Sequence, residues 1–229
     1  MKRIGVLGGM SWQSTLIYYR YLNEEANARL GGQHSADLLI WSGDFAPFAE
    51  ATAERDWDRT ARVLCDAAKE LATAGAELLV IASNVAHVAA DLVESVSGVQ
   101  VVNMIDVTAR RLQEVGITRA GLIGTAAVME DGFYVERMRK NGIECEVPSA
   151  ATRKEIDRII FDELVRGVID DGSHRTLVDA IDAMADEGAE AAILGCTELS
   201  LILDEDDGMV PGFDTTRIHA VTAIEAALQ

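Results

Sequence analysis

The stretch Gly188–Thr197 reads GAEAAILGCT, and an earlier stretch, Gly75–Asn84, reads GAELLVIASN. The two align without gaps, and in each a short apolar run ends in small polar residues. This pattern is typical of a buried parallel strand, because both faces of such a strand are covered by other elements. In the alignment Cys196 falls on Ser83. We therefore expect the ends of two similar strands to present a thiol and a hydroxyl.

A second pair of segments repeats at nearly the same distance along the chain. Ile4–Gly9 (IGVLGG) aligns with Ala120–Thr125 (AGLIGT), and the two offsets differ by three residues. A repeat of this kind indicates a duplicated structural unit. We predict an α/β fold of two pseudo-symmetric lobes, each a parallel sheet flanked by helices, with the active site in the cleft between them. The expected division is residues 1–105 plus 212–229 for the N-terminal lobe and residues 106–211 for the C-terminal lobe.

Apolar runs and amphipathic stretches of helical length alternate along the chain, as they do in α/β proteins. The predicted strands are RIGVLGG, ADLLIWSGD, AELLVIASN, VQVVNMI, RAGLIGT, EAAILGCTE and MVPGFD. The predicted helices cover residues 14–30, 57–74, 85–96, 106–115, 132–141, 153–170, 175–187 and the C-terminal segment. Ligands of such folds bind at the carboxyl ends of the strands, so functional residues are expected directly after each run.

Composition restricts the possible partners and compartments. The chain of 229 residues has a net charge of −18, which makes nucleic acid and anionic membranes poor partners. It contains no apolar run of about 18 residues, so we predict no transmembrane helix. An odd number of cysteines, three, in a chain of this size favours a reduced, cytoplasmic protein. A small anionic substrate remains compatible with the acidity, because local donors decide its binding.

Several strand ends carry candidate chemistry. Cys196 precedes a turn or helix, where backbone N–H groups would lower its pKa towards a usable thiolate; the alternative is an inert buried cysteine. The turns after Gly8 and Gly124 could each present N–H groups to an anion, or be ordinary strand–helix joints. His87 is more often structural than catalytic in such a position. We find no spacing of a zinc site, a P-loop or a dinucleotide fingerprint, and expect no metal.

The motifs taken together resemble the aspartate/glutamate racemase family, and the GGMSW and GGQHSA stretches resemble its bacterial L-aspartate/glutamate-specific subgroup. The segments that carry the resemblance are IGVLGGMSWQST, GGQHSADLLIWSGDF, WDRTARVL, SNVAH, LIGTAAVMEDGFY, KEIDRIIFDEL, GCTELSLIL and FDTTRIHA. The resemblance implies two α/β lobes, a homodimer and racemisation without a cofactor. It also implies a small anionic amino acid, aspartate or glutamate, as substrate.

The resemblance further implies roles for particular residues. Cys196 in the GCTE motif carries over as a proton donor and acceptor. The other catalytic cysteine of most members is replaced by Ser83, and the threonine two positions later by Val85. A serine hydroxyl could return a proton but could hardly remove one without help from His87. We therefore expect one direction of the racemisation to be much slower than the other. An engineered Cys→Ser replacement would also explain Ser83. The implied substrate-binding residues are Gly9, Met10, Ser11, Thr52, Asn84, Thr125, Lys154 and Thr197.

Two alternatives keep the fold and change the function. The first is a decarboxylase or cis–trans isomerase of a small dicarboxylate, which fits a site with one cysteine. The second is a homologue that binds an amino acid without catalysis. Ser83 and Val85 favour this second alternative, whereas the intact GCTE motif is evidence against it.

Overall fold

The computed structural model describes Met1–Gln229 and divides the chain into two compact units. Unit 1 contains Met1–Met104 and Thr216–Gln229, and unit 2 contains Ile105–Thr215. Each unit has its own parallel sheet.

The sheet of unit 1 has three strands in the order β2-β1-β3. The strands are β1 (Ile4–Gly8), β2 (Leu38–Ser42) and β3 (Leu78–Ile81). The helices that accompany them are α1 (Trp12–Leu30), α2 (Phe45–Ala53), α3 (Trp57–Thr73) and α4 (Ala90–Ser97), the last preceded by a 3-10 helix at Val85–Ala89. Every residue of β1 and β3 is buried, which explains their unbroken apolar sequences.

Side-chain caps determine where several of these helices begin. The Ser11 hydroxyl accepts a hydrogen bond from the N–H of Ser14 at 3.3 Å and caps α1, and the Asp56 carboxylate accepts one from the N–H of Arg59 at 2.9 Å and caps α3. Such caps satisfy N–H groups that have no partner inside the helix. Neither α1 nor any other helix is long and apolar enough to cross a membrane.

The sheet of unit 2 has four strands in the order β5-β4-β6-β7. Its helix α5 covers Met104–Glu114, and the next elements are β4 (Arg119–Gly124), α6 (Ala126–Glu130), α7 (Phe133–Lys140), β5 (Glu144–Glu146) and α8 (Ala150–Arg158). A π-helical turn at Ile159–Glu163 and a 3-10 helix at Leu164–Arg166 follow. The remaining elements of unit 2 are α9 (Asp171–Asp186), β6 (Ala191–Gly195), a 3-10 helix at Thr197–Leu201 and β7 (Gly212–Asp214). The last helix, α10 (Thr215–Leu228), belongs to unit 1.

The two sheets share the same strand order around their first strand, and the same register. Ile4 pairs with Leu78 in unit 1, and Ala120 pairs with Ala191 in unit 2. These are the positions that the sequence repeat aligns. The predicted α/β class, with two parallel sheets flanked by helices in similar units, is therefore confirmed.

Several details differ from the sequence-based expectation. The run VQVVNMI forms no strand; Val101 makes a single parallel bridge to Leu79, and α5 begins at Met104. The stretch 153–170 is predicted as one helix, but α8 ends at Arg158, where a π-helical turn and then a 3-10 helix follow, and the chain turns at Gly167, where φ is +74°. Strand β5 and helices α2 and α6 were not predicted, because each is short and carries little periodicity.

Candidate active site

Most of the predicted site residues follow strands, and they form one cluster in each unit. The unit 1 cluster consists of Gly9, Met10 and Ser11 after β1 and of Ser83 and Asn84 after β3, and these two strands pair with each other. The unit 2 cluster consists of Thr125 after β4 and of Cys196 and Thr197 after β6, which also pair. Thr52 lies on α2 in unit 1, and Lys154 lies on α8 in unit 2.

In unit 2, the pairing of β4 with β6 places Thr125 and Cys196 next to each other. Gly124 pairs with Gly195, and each of the two residues follows directly. A Cβ atom on Gly124 would lie 2.9 Å from the carbonyl oxygen of Gly195, so this close approach of the two strands requires glycine. The glycine before the thiol in the GCTE motif has the same role, because a Cβ on Gly195 would meet the Leu122 side chain at 2.8 Å.

The Cys196 thiol is buried and points at a carboxylate. Its Sγ donates a hydrogen bond to Oε2 of Glu198 at 3.1 Å, and the two residues are 8% and 5% exposed. Burial raises the pKa of Cys196 well above its usual value, and the charge of Glu198 and its hydrogen bond raise it further. The backbone N–H of Glu198 acts in the opposite direction but is outweighed. The expected lowering of the pKa of Cys196 is therefore wrong, because burial and the neighbouring carboxylate raise it.

A second carboxylate, that of Asp157, belongs to the same region of unit 2. Its Oδ1 accepts a hydrogen bond from the N–H of Ala126, the first residue of α6, at 2.7 Å, and its charge also raises the pKa of Cys196. Glu198 and Asp157 were not among the predicted site residues. The signal for Glu198 was its place two residues after the thiol; Asp157 had no comparable signal.

Two predicted substrate-binding residues of unit 2 are available for a ligand. The Thr125 hydroxyl is buried, and it neither caps α6 nor has any other hydrogen-bond partner. Lys154 lies on α8 with its side chain exposed and forms no ion pair, whereas the neighbouring Arg153 pairs with Glu130 at 3.0 Å. A buried hydroxyl without a partner is costly in a native protein, so such groups are often ones that a ligand satisfies.

In unit 1, Gly9 shapes the turn between β1 and α1. Its φ is +79°, and a Cβ atom there would lie 2.5 Å from the backbone nitrogen of Gly43. Its N–H donates to Oγ1 of Thr15 at 2.9 Å. One of the N–H groups that we expected to face an anion is therefore engaged in a hydrogen bond within the protein. Met10 beside it is 7% exposed.

Ser11 has a strained backbone. Its φ is +102°, in a region that residues other than glycine rarely adopt. Its hydroxyl donates to Oε1 of Gln13 at 2.9 Å while it caps α1. Strain of this kind persists only where the surroundings enforce it, and it is commonest at ligand-binding positions.

Ser83 and Asn84 follow β3 and are buried at 8% and 4% exposure. His87, one turn later, is engaged through both ring nitrogens. Nδ1 lies 2.8 Å from the carbonyl oxygen of Ser83, and Nε2 accepts the N–H of Met104 at 3.0 Å. The Met104 N–H can only donate, so Nδ1 carries the proton and donates it to Ser83. His87 therefore has no lone pair available for the Ser83 hydroxyl, and its expected role as a helper base is wrong.

His219 on α10 completes this buried network. Its Nε2 donates to the carbonyl oxygen of Val102 at 2.7 Å, and its Nδ1 accepts from the Tyr18 hydroxyl at 2.8 Å. The His87 and His219 rings meet edge to face, with centroids 5.5 Å apart. Burial, together with His87, lowers the pKa of His219 from 6.5 to about 3. His87 thus supports the strand end that carries Ser83, and His219 packs against His87.

Thr52, on α2, carries a second hydroxyl that is buried without a hydrogen-bond partner. In a helix a threonine hydroxyl commonly bonds to a carbonyl one turn earlier, and here it does not. No three side chains of histidine, cysteine, aspartate or glutamate stand close enough together to hold a metal ion.

The fold and the two clusters define a duplicated α/β protein with a protic side chain after the third strand of each repeat. The chain belongs to the Asp/Glu/hydantoin racemase family, whose model matches residues 7–223.

Similar proteins are known from several organisms. A provisionally assigned Asp/Glu racemase from Yersinia pestis is 41% identical over the whole of both chains, with a TM-score of 0.94. An aspartate racemase homologue from Pyrococcus horikoshii is 34% identical, also over the whole of both chains, with a TM-score of 0.88. The broad-specificity amino-acid racemase of Bacillus subtilis is 20% identical over 98% of each chain.

Proposed function

We propose that this protein is an amino-acid racemase that acts on aspartate or glutamate without a cofactor, by removing the Cα proton and returning a proton to the opposite face. Cys196 is the main acid and base, and Ser83 acts in place of a second cysteine. The named activities of its relatives support the reaction class. The particular substrate and the roles of individual residues are our inference.

The observation that carries this proposal is the equivalence of Ser83 and Cys196 in the two repeats. Each lies five residues beyond a paired strand position, Leu78 in unit 1 and Ala191 in unit 2. A racemase needs two proton-transfer groups, one for each face of the substrate carbon. A duplicated fold with one protic group per repeat supplies such a pair.

In the direction that starts from the enantiomer facing Cys196, the thiolate takes the Cα proton. The electron pair passes into the substrate carboxylate as an enediolate, and the Ser83 hydroxyl or a water that it holds returns a proton to the other face. In the reverse direction Ser83 must act as a base. A serine alkoxide is scarcely populated near neutral pH, and His87 has no free nitrogen with which to help. We therefore expect the reverse direction to be much slower.

Substrate carboxylates are proposed to bind the hydroxyls of Thr52 and Thr125, whose oxygens are buried without partners. Lys154, exposed and unpaired on α8, supplies a positive charge for the same purpose. Asn84 and Thr197 are buried beside the two proton-transfer residues and are assigned to the substrate as well. Gly9, Met10 and Ser11 contribute the turn that borders the unit 1 cluster.

The test is exchange of the Cα proton in heavy water, followed by NMR on both enantiomers of aspartate and glutamate. We expect exchange of one enantiomer with slow appearance of the other, loss of both in Cys196→Ala, and a faster reverse reaction in Ser83→Cys. Exchange that survives unchanged in Cys196→Ala would refute the proposal. Absence of exchange with release of carbon dioxide from a substituted malonate would instead identify a decarboxylase, for which a protonated Cys196 thiol is a suitable donor.

We also propose that the protein is a cytoplasmic homodimer. Support for the dimer comes from α1, where Trp12, Leu16 and Tyr19 are 62%, 56% and 52% exposed and share one helical face. Light scattering should give twice the chain mass for the wild type and the chain mass for Leu16→Glu. A monomeric wild type would exclude the dimer.

A further inference from the structure

The Cys196 thiol donates a hydrogen bond to the Glu198 carboxylate, although the proposed racemisation needs the thiol in its ionised form. A thiol that is buried and faces a carboxylate resists ionisation, yet the reaction requires a thiolate. Losing its proton to solvent would leave two negative charges next to each other in a buried place, with the charge of Asp157 acting on the same thiol. The proton therefore needs another destination.

We propose that Glu198 is that destination: its carboxylate takes the proton of the Cys196 thiol directly across their 3.1 Å hydrogen bond and so converts the thiol into the base. The inference rests on the proposed racemase function. It makes Glu198 a positioning and proton-holding residue that acts through Cys196 and is not assigned to the substrate.

The step conserves charge. The S–H bond breaks, its electron pair stays on sulfur, and an O–H bond forms at Oε2 of Glu198. Before and after, the pair carries one negative charge, so no additional charge has to be buried. When the thiolate then takes the Cα proton, the S–H bond is restored and the electron pair of the C–H bond passes to the substrate. Glu198 returns its proton to water after product release, and water restores the proton that the Ser83 side has given up.

The geometry of the pair suits this role. Oε2 of Glu198 lies 3.1 Å from Sγ of Cys196, a side chain that can give up a proton. Glu190, by comparison, accepts the backbone N–H groups of Thr118 and Arg119 at 2.9 Å each, and these groups cannot give up a proton. Cys196 in turn does not cap the 3-10 helix that follows it.

Replacing Glu198 by glutamine separates the two effects of the carboxylate. Glu198→Gln removes a negative charge beside the thiol, so the pH midpoint for alkylation of Cys196 by iodoacetamide, followed by mass spectrometry of its peptide, should fall. The same change removes the proton acceptor, so Cα exchange should fall by about 100-fold or more, the usual contribution of one proton-transfer group. A more reactive thiol in a slower enzyme is the expected signature.

Two further variants make the test decisive. Glu198→Asp keeps a carboxylate and should recover part of the lost exchange. Asp179→Asn removes one charge from an exposed position on α9 and should leave both measurements as in the wild type.

Exchange in Glu198→Gln that equals or exceeds the wild-type rate would overturn the inference, because the carboxylate would then only raise the pKa of the Cys196 thiol and not accept its proton. An unchanged alkylation midpoint would overturn it as well. Absence of exchange in the wild type would refute the racemase proposal instead, and the midpoints alone would then decide whether Cys196 and Glu198 are coupled.

Discussion

The loss of folding stability at acidic pH should depend in large part on the buried His219. His219 is fully buried, its Nδ1 accepts from Tyr18 and its Nε2 donates to Val102, so the folded protein holds the ring neutral. Burial and the neighbouring His87 lower the pKa of His219 from 6.5 to about 3. In the unfolded chain His219 therefore binds a proton as the pH falls below about 6.5, whereas in the folded protein it binds one only near pH 3. Stability must fall as the pH falls through this window.

The size of the effect follows from the shift. Each pH unit below 6.5 costs about 1.36 kcal/mol until the folded protein also binds the proton. Between pH 7.5 and pH 5.0, His219 should thus remove about 2 kcal/mol from the free energy of unfolding. This is a large fraction of the stability of an ordinary domain, about 5–15 kcal/mol.

The assay is urea denaturation at pH 7.5 and pH 5.0 for the wild type and for His219→Gln, which retains a donor and an acceptor but does not titrate. The variant should be less stable at pH 7.5, because its amide replaces a well-packed ring. Its further loss on acidification should be about 2 kcal/mol smaller than that of the wild type. The exposed His34, changed to glutamine, is the control and should keep the wild-type loss. Equal losses for the wild type and His219→Gln would show that His219 is not held neutral by burial.

Three further predictions concern single side chains. Gly9→Ala should lower the free energy of unfolding by about 2 kcal/mol or more in urea, because the residue has a positive φ and its new Cβ would strike the backbone of Gly43 at 2.5 Å; an unaffected variant would show that the turn can relax. Thr60→Val should raise stability by about 1 kcal/mol in the same assay, because it removes a buried hydroxyl that has no partner and keeps the shape of the side chain. Thr125→Val should raise KM for the amino acid about 10-fold while the folded protein is stabilised as in Thr60→Val, and an unchanged KM would exclude a carboxylate contact.

The strand ends illustrate how far the sequence could be interpreted. GAELLVIASN and GAEAAILGCT predicted two equivalent buried strands, and the structure pairs each with the first strand of its sheet in the same register. This succeeded because a strand buried on both faces has an unmistakable apolar run, and because the duplication tested each assignment against the other. Strand β5 escaped prediction because three residues reading ECE carry no such signal.

The prediction about the state of Cys196 failed for a physical reason. The sequence places backbone N–H groups after the thiol, and one of them does lower its pKa. It contains no measure of how deeply the thiol is buried or of where the Glu198 side chain points. Both are decided by packing, and both act in the opposite direction.

By itself, then, the sequence determined the α/β class, the duplication, and the pairing of Ser83 with Cys196 at equivalent strand ends, because these depend on periodicity and on local spacing. Only the tertiary structure decided the chemical state of those residues. It buries the thiol against a carboxylate and occupies both nitrogens of His87. Ionisation and hydrogen bonding depend on groups that are distant in the chain and come together only on folding, as Met104 does with His87 and Val102 with His219.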